Sequence, residues 1–229
     1  MNAARLWATG DRAAARREYE ALAQIFVARG GLLSSKQMAT IAEAITWLGV
    51  QEPQLFRDAL IAYDRAIAKD PDNLEARVEL GELFLDKYNS ADAKRTLDEV
   101  FQRDEDFVPA LIAEARRRDF DHESGADSLL ARVLRADPDN VSAHVLRARL
   151  RADVEDFAGA RQEIQAALRA GPDSAEALAF GIALAVVAGD SATARDLTGR
   201  FTARYPRDAR AHVATAELLA RVRQYRLAA

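Results

Sequence analysis

Small and apolar residues recur at helical spacing along this chain, and turn-forming tetrapeptides cut the runs that carry them. Ala59, Tyr63 and Ala66 fall on one face of FRDALIAYDRAIAK, and Ala126, Leu130 and Val133 do so in ESGADSLLARVLRA. Each run ends in the same four residues, DPDN, at Asp70–Asn73 and at Asp137–Asn140. Proline has no place inside a helix and pushes the residue before it out of the α region. Asp and Asn favour a turn and the N-cap of the segment that follows. The pattern predicts that each DPDN stops one helix and starts another.

The punctuation is periodic. It returns as AGPDS at Ala170–Ser174 and as RYPRD at Arg204–Asp208, with prolines at 71, 138, 172 and 206. The last two intervals are 34 residues, and the first, 67, is two periods. The intervening stop falls in RDEDF, where Glu105 takes the proline position. A fixed period near 34 predicts stacked helical hairpins.

Other positions keep the same register. LEARVELGELFLDKY carries Leu80, Gly81 and Phe84, and the run before it carries Ala59, Tyr63, Ala66 and Pro71. Later copies open on Ala93, Ala126, Ala160 and Ala194. They continue with Leu97, Leu130 and Ile164, where Thr198 departs, and then with Val100, Val133, Ala167 and Phe201. Small residues let two helices cross closely, and larger ones fill the gap to the next pair. In this respect the chain resembles the tetratricopeptide repeat family.

That resemblance implies an all-α solenoid, a right-handed superhelix of antiparallel helix pairs, about 13 helices in one continuous domain over 1–229. It divides into a half-repeat at 1–29 (with Gly10, Ala15, Tyr19 and Leu22 in place), a loose repeat at 35–73 with extra residues in the turn GVQEPQ, regular repeats at 74–106, 107–140, 141–174 and 175–208, and a terminal helix at 209–222. The segment GELFLDKYNSADA also resembles, locally and more weakly, the repeat region of bacterial proteins that carry a peptidase MA-type domain.

Composition narrows the function. Alanine, the best helix former, contributes 49 of 229 residues. The net charge is −4 and the pI near 5.5, with no basic stripe, which argues against nucleic acid as a partner. The chain has no cysteine, so thiol chemistry and disulfides are excluded. The longest apolar run, Leu178–Gly189, is too short to span a bilayer and reads as a buried helix. Asp11, Glu18 and Glu20 interrupt the first 30 residues, so no signal peptide is read and a cytoplasmic location is expected.

No catalytic, cofactor or metal site is expected. DFDHESG, Asp119–Gly125, is dense in acid and imidazole groups, yet its residues are consecutive and read as a solvated turn. His144 and His212 share one repeat position, which explains both as packing residues. Trp7 and Trp47 read as core. The expected ligand is a protein or peptide segment held in the concave groove that first helices line in this family. Glu75, Glu79, Glu82 and Asp86 follow i, i+4, i+7, i+11 spacing and form an acidic stripe, which Glu43 extends. Further along, Leu111, Val145, Ala179, Ala183 and Val186 take the equivalent places, with Arg118, Arg149 and Asp153 among them, and suggest an apolar stretch. The family's clamp for C-terminal carboxylates needs Lys and Asn where this chain has Val78 and Glu82, Leu111 and Ala115, Val145 and Arg149.

The expectation is thus a non-catalytic scaffold, with the repeat arm of a larger bacterial hydrolase or peptidase as the alternative. The apolar face of ARAHVATAELLARV lacks a capping partner in the sequence, which implies either a longer protein or a homo-oligomer formed through that helix.

Overall fold

The computed structural model describes Leu6, 11–49 and 55–221. Trp7, Gly10, most of the GVQEPQ turn, the segment after Arg221 and the Trp47 side chain lie outside the described residues. Among those described there are twelve α-helices and no strand. They are α1 (Arg12–Arg29), α2 (Ser35–Gly49), α3 (Leu55–Lys69), α4 (Leu74–Asp86), α5 (Ser90–Phe101) and α6 (Val108–Phe120), followed by α7 (Ala126–Ala136), α8 (Val141–Asp153), α9 (Phe157–Ala170), α10 (Ala175–Val187), α11 (Ser191–Arg204) and α12 (Arg210–Arg221).

Each DPDN does the two jobs its residues suggest. The leading Asp accepts from the backbone two residues on, Asp72 N to Asp70 Oδ1 at 3.2 Å and Asp139 N to Asp137 Oδ1 at 3.3 Å. The closing Asn caps the next helix, accepting from Ala76 N at 3.1 Å and from Ala143 N at 3.0 Å. The copy without proline works the same way at its start, with Asp106 N to Asp104 Oδ1 at 2.9 Å. Its last residue is Phe107, which supplies no side-chain cap, and Pro109 in the first turn of α6 fits the fixed φ of that position instead.

The turns inside the hairpins are just as regular. Asn89, Glu123, Asp156 and Asp190 donate their N–H back to Phe84, Arg118, Arg151 and Ala185 at 2.8–2.9 Å. These are the six-to-one bonds of Schellman motifs. The residue before each donor is left-handed: Tyr88 (φ 59°), His122 (φ 56°), Glu155 (φ 60°) and Gly189 (φ 70°). Asn89, Asp156 and Asp190 then cap the second helix of the pair at once. Glu123 does not, because α7 starts only at Ala126, behind Gly125. Its carboxylate is left for another use.

The residues fall into two compact units, one ending at Ser124 and the other starting at Gly125. In the first, α2 pairs with α3 and α4 with α5, while α2, α4 and α6 stand side by side. Its core includes Met38, Ile41, Tyr63, Leu80 and Leu83, and a second cluster joins Val78, Leu97 and Val100 to Ala110 and Ala113. In the second unit α10 packs against α8, α9, α11 and α12. It is buried on nearly every side, as its uninterrupted apolar sequence predicts. The Gly181 slot explains the close crossing: a Cβ there would sit 3.0 Å from Leu197 Cδ1 and 3.1 Å from Ile164 Cγ2.

Candidate functional site

The acidic stripe opens onto a pocket in the first unit. It has a volume of about 360 Å³ and is lined by Glu43 and Thr46 of α2, Tyr63 of α3, and Glu79, Glu82, Leu83 and Asp86 of α4. The stripe forms because α4 presents positions 79, 82, 83 and 86 on one side, and α2 stands beside it with Glu43 and Thr46 one turn apart. Tyr63 forms the floor. Its ring is buried in the core, and its hydroxyl meets Thr46 and Glu79.

The four carboxylates are not alike. Glu82 is paired with Arg116 of α6 at 2.8 Å. Asp86, at the end of α4, turns its carboxyl to the pocket wall, where partial burial raises it, with Lys87 and Arg116 opposing. Glu43 and Glu79 make no ion pair with any cation among the described residues. Glu79 Oε2 is buried with no hydrogen-bond partner. Burial pushes the Glu79 carboxyl up to about 7, and the charge of Glu43 adds to the effect; the Tyr63 hydroxyl opposes it, while Glu82 and Glu75 contribute less. Burial and then Glu43 push the Tyr19 hydroxyl of α1 up to about 12. That hydroxyl too is buried without a partner. Tyr63 is raised far above its ordinary range, by burial first and then by Glu79 and Glu43. Glu43 is thus the common neighbour of three groups that resist further negative charge.

Other expected site residues are placed elsewhere. Glu75 is exposed in the first turn of α4, outside the pocket lining. Leu111, Val145, Ala179 and Ala183 are corrected: all four are buried, so they are core and offer no groove wall. Val145, Ala179 and Ala183 lie in the cluster that contains Ala211, Ala214 and Leu218, where neighbouring first helices meet. Arg118 is paired with Glu114 of its own helix at 2.8 Å. Arg149 and Asp153 are exposed in the second unit, Arg149 lying over the Phe180 ring, and Val186 is 38% exposed there.

Thr46, Tyr63 and Leu83 belong to the pocket although the sequence marked Tyr63 only as core. The signal for Thr46 was its spacing from Glu43, one helical turn.

Among the described residues no group of His, Asp and Glu is arranged to hold a metal ion. DFDHESG is not merely solvated, because Asp121 and Glu123 both accept from the buried Arg117. His144 contacts Glu163 through Nδ1 at 2.7 Å and the Pro138 carbonyl through Nε2 at 2.9 Å. Arg77, in the same repeat slot, spans Glu99 and the Pro71 carbonyl. The repeat position explains both; His212 is exposed.

The tetratricopeptide repeat family model matches residues 54–99 and 112–175. Solved structures share the fold. PilW, a widely conserved type IV pilus biogenesis factor, is 16% identical over 82% of this chain and 88% of its own, with a TM-score of 0.59. TTC0263, a thermophilic tetratricopeptide protein of Thermus thermophilus, is 19% identical over 78% of this chain and 99% of its own, with a TM-score of 0.62. Pseudomonas aeruginosa pilF is 22% identical over 91% and 100%, with a TM-score of 0.55. At such identities the likeness is one of fold. No curated protein matches the chain. Repeat register, hairpin caps, family model and solved relatives agree on an all-α fold of tetratricopeptide repeats. No helix among the described residues is long and apolar enough to cross a membrane.

Proposed function

We propose that this protein is a non-catalytic interaction scaffold that holds a segment of a partner protein against the α2–α4 face of its first unit. The observation that carries the reading is the pocket between Glu43 and Glu79, two carboxylates with no cation to neutralise them among the described residues. Partly buried like charges oppose folding, so their presence side by side points to a role outside stability. A preformed helical face needs little reorganisation to bind, which reduces the entropy lost on association.

The test is a selection of displayed random peptides on the wild-type chain and on the Glu43→Gln, Glu79→Gln double variant. Both substitutions keep side-chain size, and circular dichroism checks the fold. The expected result is a peptide set retained by the wild type and lost by the variant. Equal retention by both would remove the α2–α4 face as the binding surface.

A further inference from the structure

We infer that the pocket between α2 and α4 takes one lysine side chain of the bound segment, whose ammonium group sits between Glu43 and Glu79 in the neighbourhood of the Tyr63 hydroxyl. This rests on the reading of that face as a binding surface and names the chemistry it selects.

Size is the first argument. A volume of about 360 Å³ lies at the small end of the range for ligand pockets, roughly 300–1,000 Å³, and has room for one long side chain. Charge is the second. Four carboxylates line or rim the space, and Arg116 already answers Glu82. Of the other three, Asp86 at the end of α4 has Lys87 and Arg116 near it, and Glu43 and Glu79 face the space from one helix each. The third argument is the pair of unsatisfied buried oxygens beside Glu43, Glu79 Oε2 and the Tyr19 hydroxyl. Buried polar atoms without partners are rare and call for a missing ligand or water. Glu79 lines the cavity, whose walls are negative, and Tyr19 stands behind Glu43, outside the lining.

Geometry favours an ammonium over a guanidinium. A guanidinium is a planar fork suited to one carboxylate held bidentately, whereas an ammonium is a point charge whose three donors can turn to separate acceptors. The remaining acceptors here come from two helices and the Tyr63 hydroxyl.

Capture of a cation is coupled to a proton. The charged groups facing Glu79 are Glu43 on α2, Glu75, Glu82 and Asp86 on its own helix, and Arg116 on α6, with the Tyr63 hydroxyl on α3. Glu79 keeps a proton near neutrality first because it is buried, and then because Glu43 and, to a smaller degree, Glu82 and Glu75 are negative. An ammonium in the pocket favours the ionised form, so binding releases that proton and strengthens as pH rises through about 7.

The experiment is carbon-detected NMR of the labelled full chain, reading the Glu43 and Glu79 carboxyl resonances. The probes are the N-acetyl, N-methylamide derivatives of lysine, arginine and norleucine. The expected result is a saturable shift with the lysine probe, a weaker one with arginine and none with norleucine. The Glu79 titration midpoint should fall with lysine present, and Glu79→Gln should weaken lysine binding about tenfold or more. Glu43→Gln, which alters the other wall, should weaken it as well. Lysine shifts unchanged in both variants, or arginine binding tighter than lysine, would overturn the assignment. Peptides that need the two carboxylates but carry no lysine would overturn it too, while leaving the binding face intact. A lysine probe that binds while no peptide depends on that face would instead remove the face as a scaffold surface.

Discussion

Arg117 grips Glu114, one turn earlier on α6, with two parallel hydrogen bonds, Nε to Oε2 at 2.7 Å and Nη2 to Oε1 at 2.9 Å. Both side chains are almost wholly buried. The free Nη1 reaches Asp121 at 2.8 Å and Glu123 at 3.0 Å. Removing one partner of such a pair strands a buried charge. Arg117→Leu should cost about 3–5 kcal/mol, whereas Glu114→Leu with Arg117→Leu should recover most of that loss. Urea denaturation of the two variants checks it. A single variant as stable as the double one would show that the pair is not buried.

The same pair sets an acid limit. Burial pushes the Glu114 carboxyl up, but the bonds from Arg117 and Arg118 outweigh it and hold the carboxyl below its ordinary 4.5. A lowered acid contributes stability that is fully present above the unfolded value and is lost as pH falls through the folded one. The wild type should therefore lose this contribution as pH falls below 4.5, and its stability gap over Arg117→Leu, whose stranded carboxylate is relieved by protonation, should narrow there. Urea midpoints across that range report the gap.

The repeat was legible because local chemistry carries it. Asp70, Pro71 and Asn73 announce a turn and a cap in any context. The acidic pocket was half legible: helical spacing put Glu79, Glu82 and Asp86 on one face, but only packing could bring Tyr63 and Thr46 to it. Burial of Arg117 was not legible, since an arginine in RRRDFDHE reads as a solvated charge until three carboxylates are seen to surround it. The apolar positions failed for a related reason. Val145, Ala179 and Ala183 have the right register for a groove, yet neighbouring first helices cover them, and sequence spacing does not separate a groove wall from a helix–helix contact.

The left-handed slot of the hairpin turn offers a matched pair of tests. Glu155 occupies it at φ 60° and Gly189 at φ 70°. A side chain in this region costs roughly 1–2 kcal/mol, partly offset by the entropy that glycine adds to the unfolded chain. Glu155→Gly should stabilise the protein by a few tenths to about 1 kcal/mol. Gly189→Ala should destabilise it by about 1 kcal/mol, although nothing lies within 4 Å of the added carbon. Thermal unfolding of both variants reads the two signs. The same sign in both would mean that φ does not govern the slot.

The two DPDN caps should differ in strength. Asn140 only caps α8 and bonds within its own turn, whereas the Asn73 amide also donates to Ser35 Oγ at 2.8 Å. Ser35 in turn donates to the Ala66 carbonyl at 2.7 Å, so Asn73 ties the start of α4 to α2 and the end of α3. Asn140→Ala should cost about 1 kcal/mol, and Asn73→Ala about 1 kcal/mol more for the lost partner of a buried hydroxyl. Chemical denaturation of the two alanine variants compares them directly.

Glu79 gives the last and most informative test, because it separates binding from stability in one residue. Its carboxyl stands at about 7 in the folded protein, mainly through burial and then through Glu43, against an ordinary 4.5. For a raised acid the stabilising contribution is full below the unfolded value and disappears as pH rises through the folded one. The wild type should therefore lose stability between pH 4.5 and about 7 relative to Glu79→Gln, which cannot ionise. Below pH 4.5, at pH 4, the two proteins should melt together, and at pH 8 the Gln variant should melt higher. If the carboxylate serves a ligand, the lysine probe should raise the wild-type melting temperature at pH 8 and leave that of the variant unchanged. Equal melting temperatures at pH 8 without the probe would place Glu79 in water and remove the electrostatic basis of the pocket. A higher-melting variant that gains as much from lysine as the wild type would keep the buried carboxylate and move the ligand elsewhere.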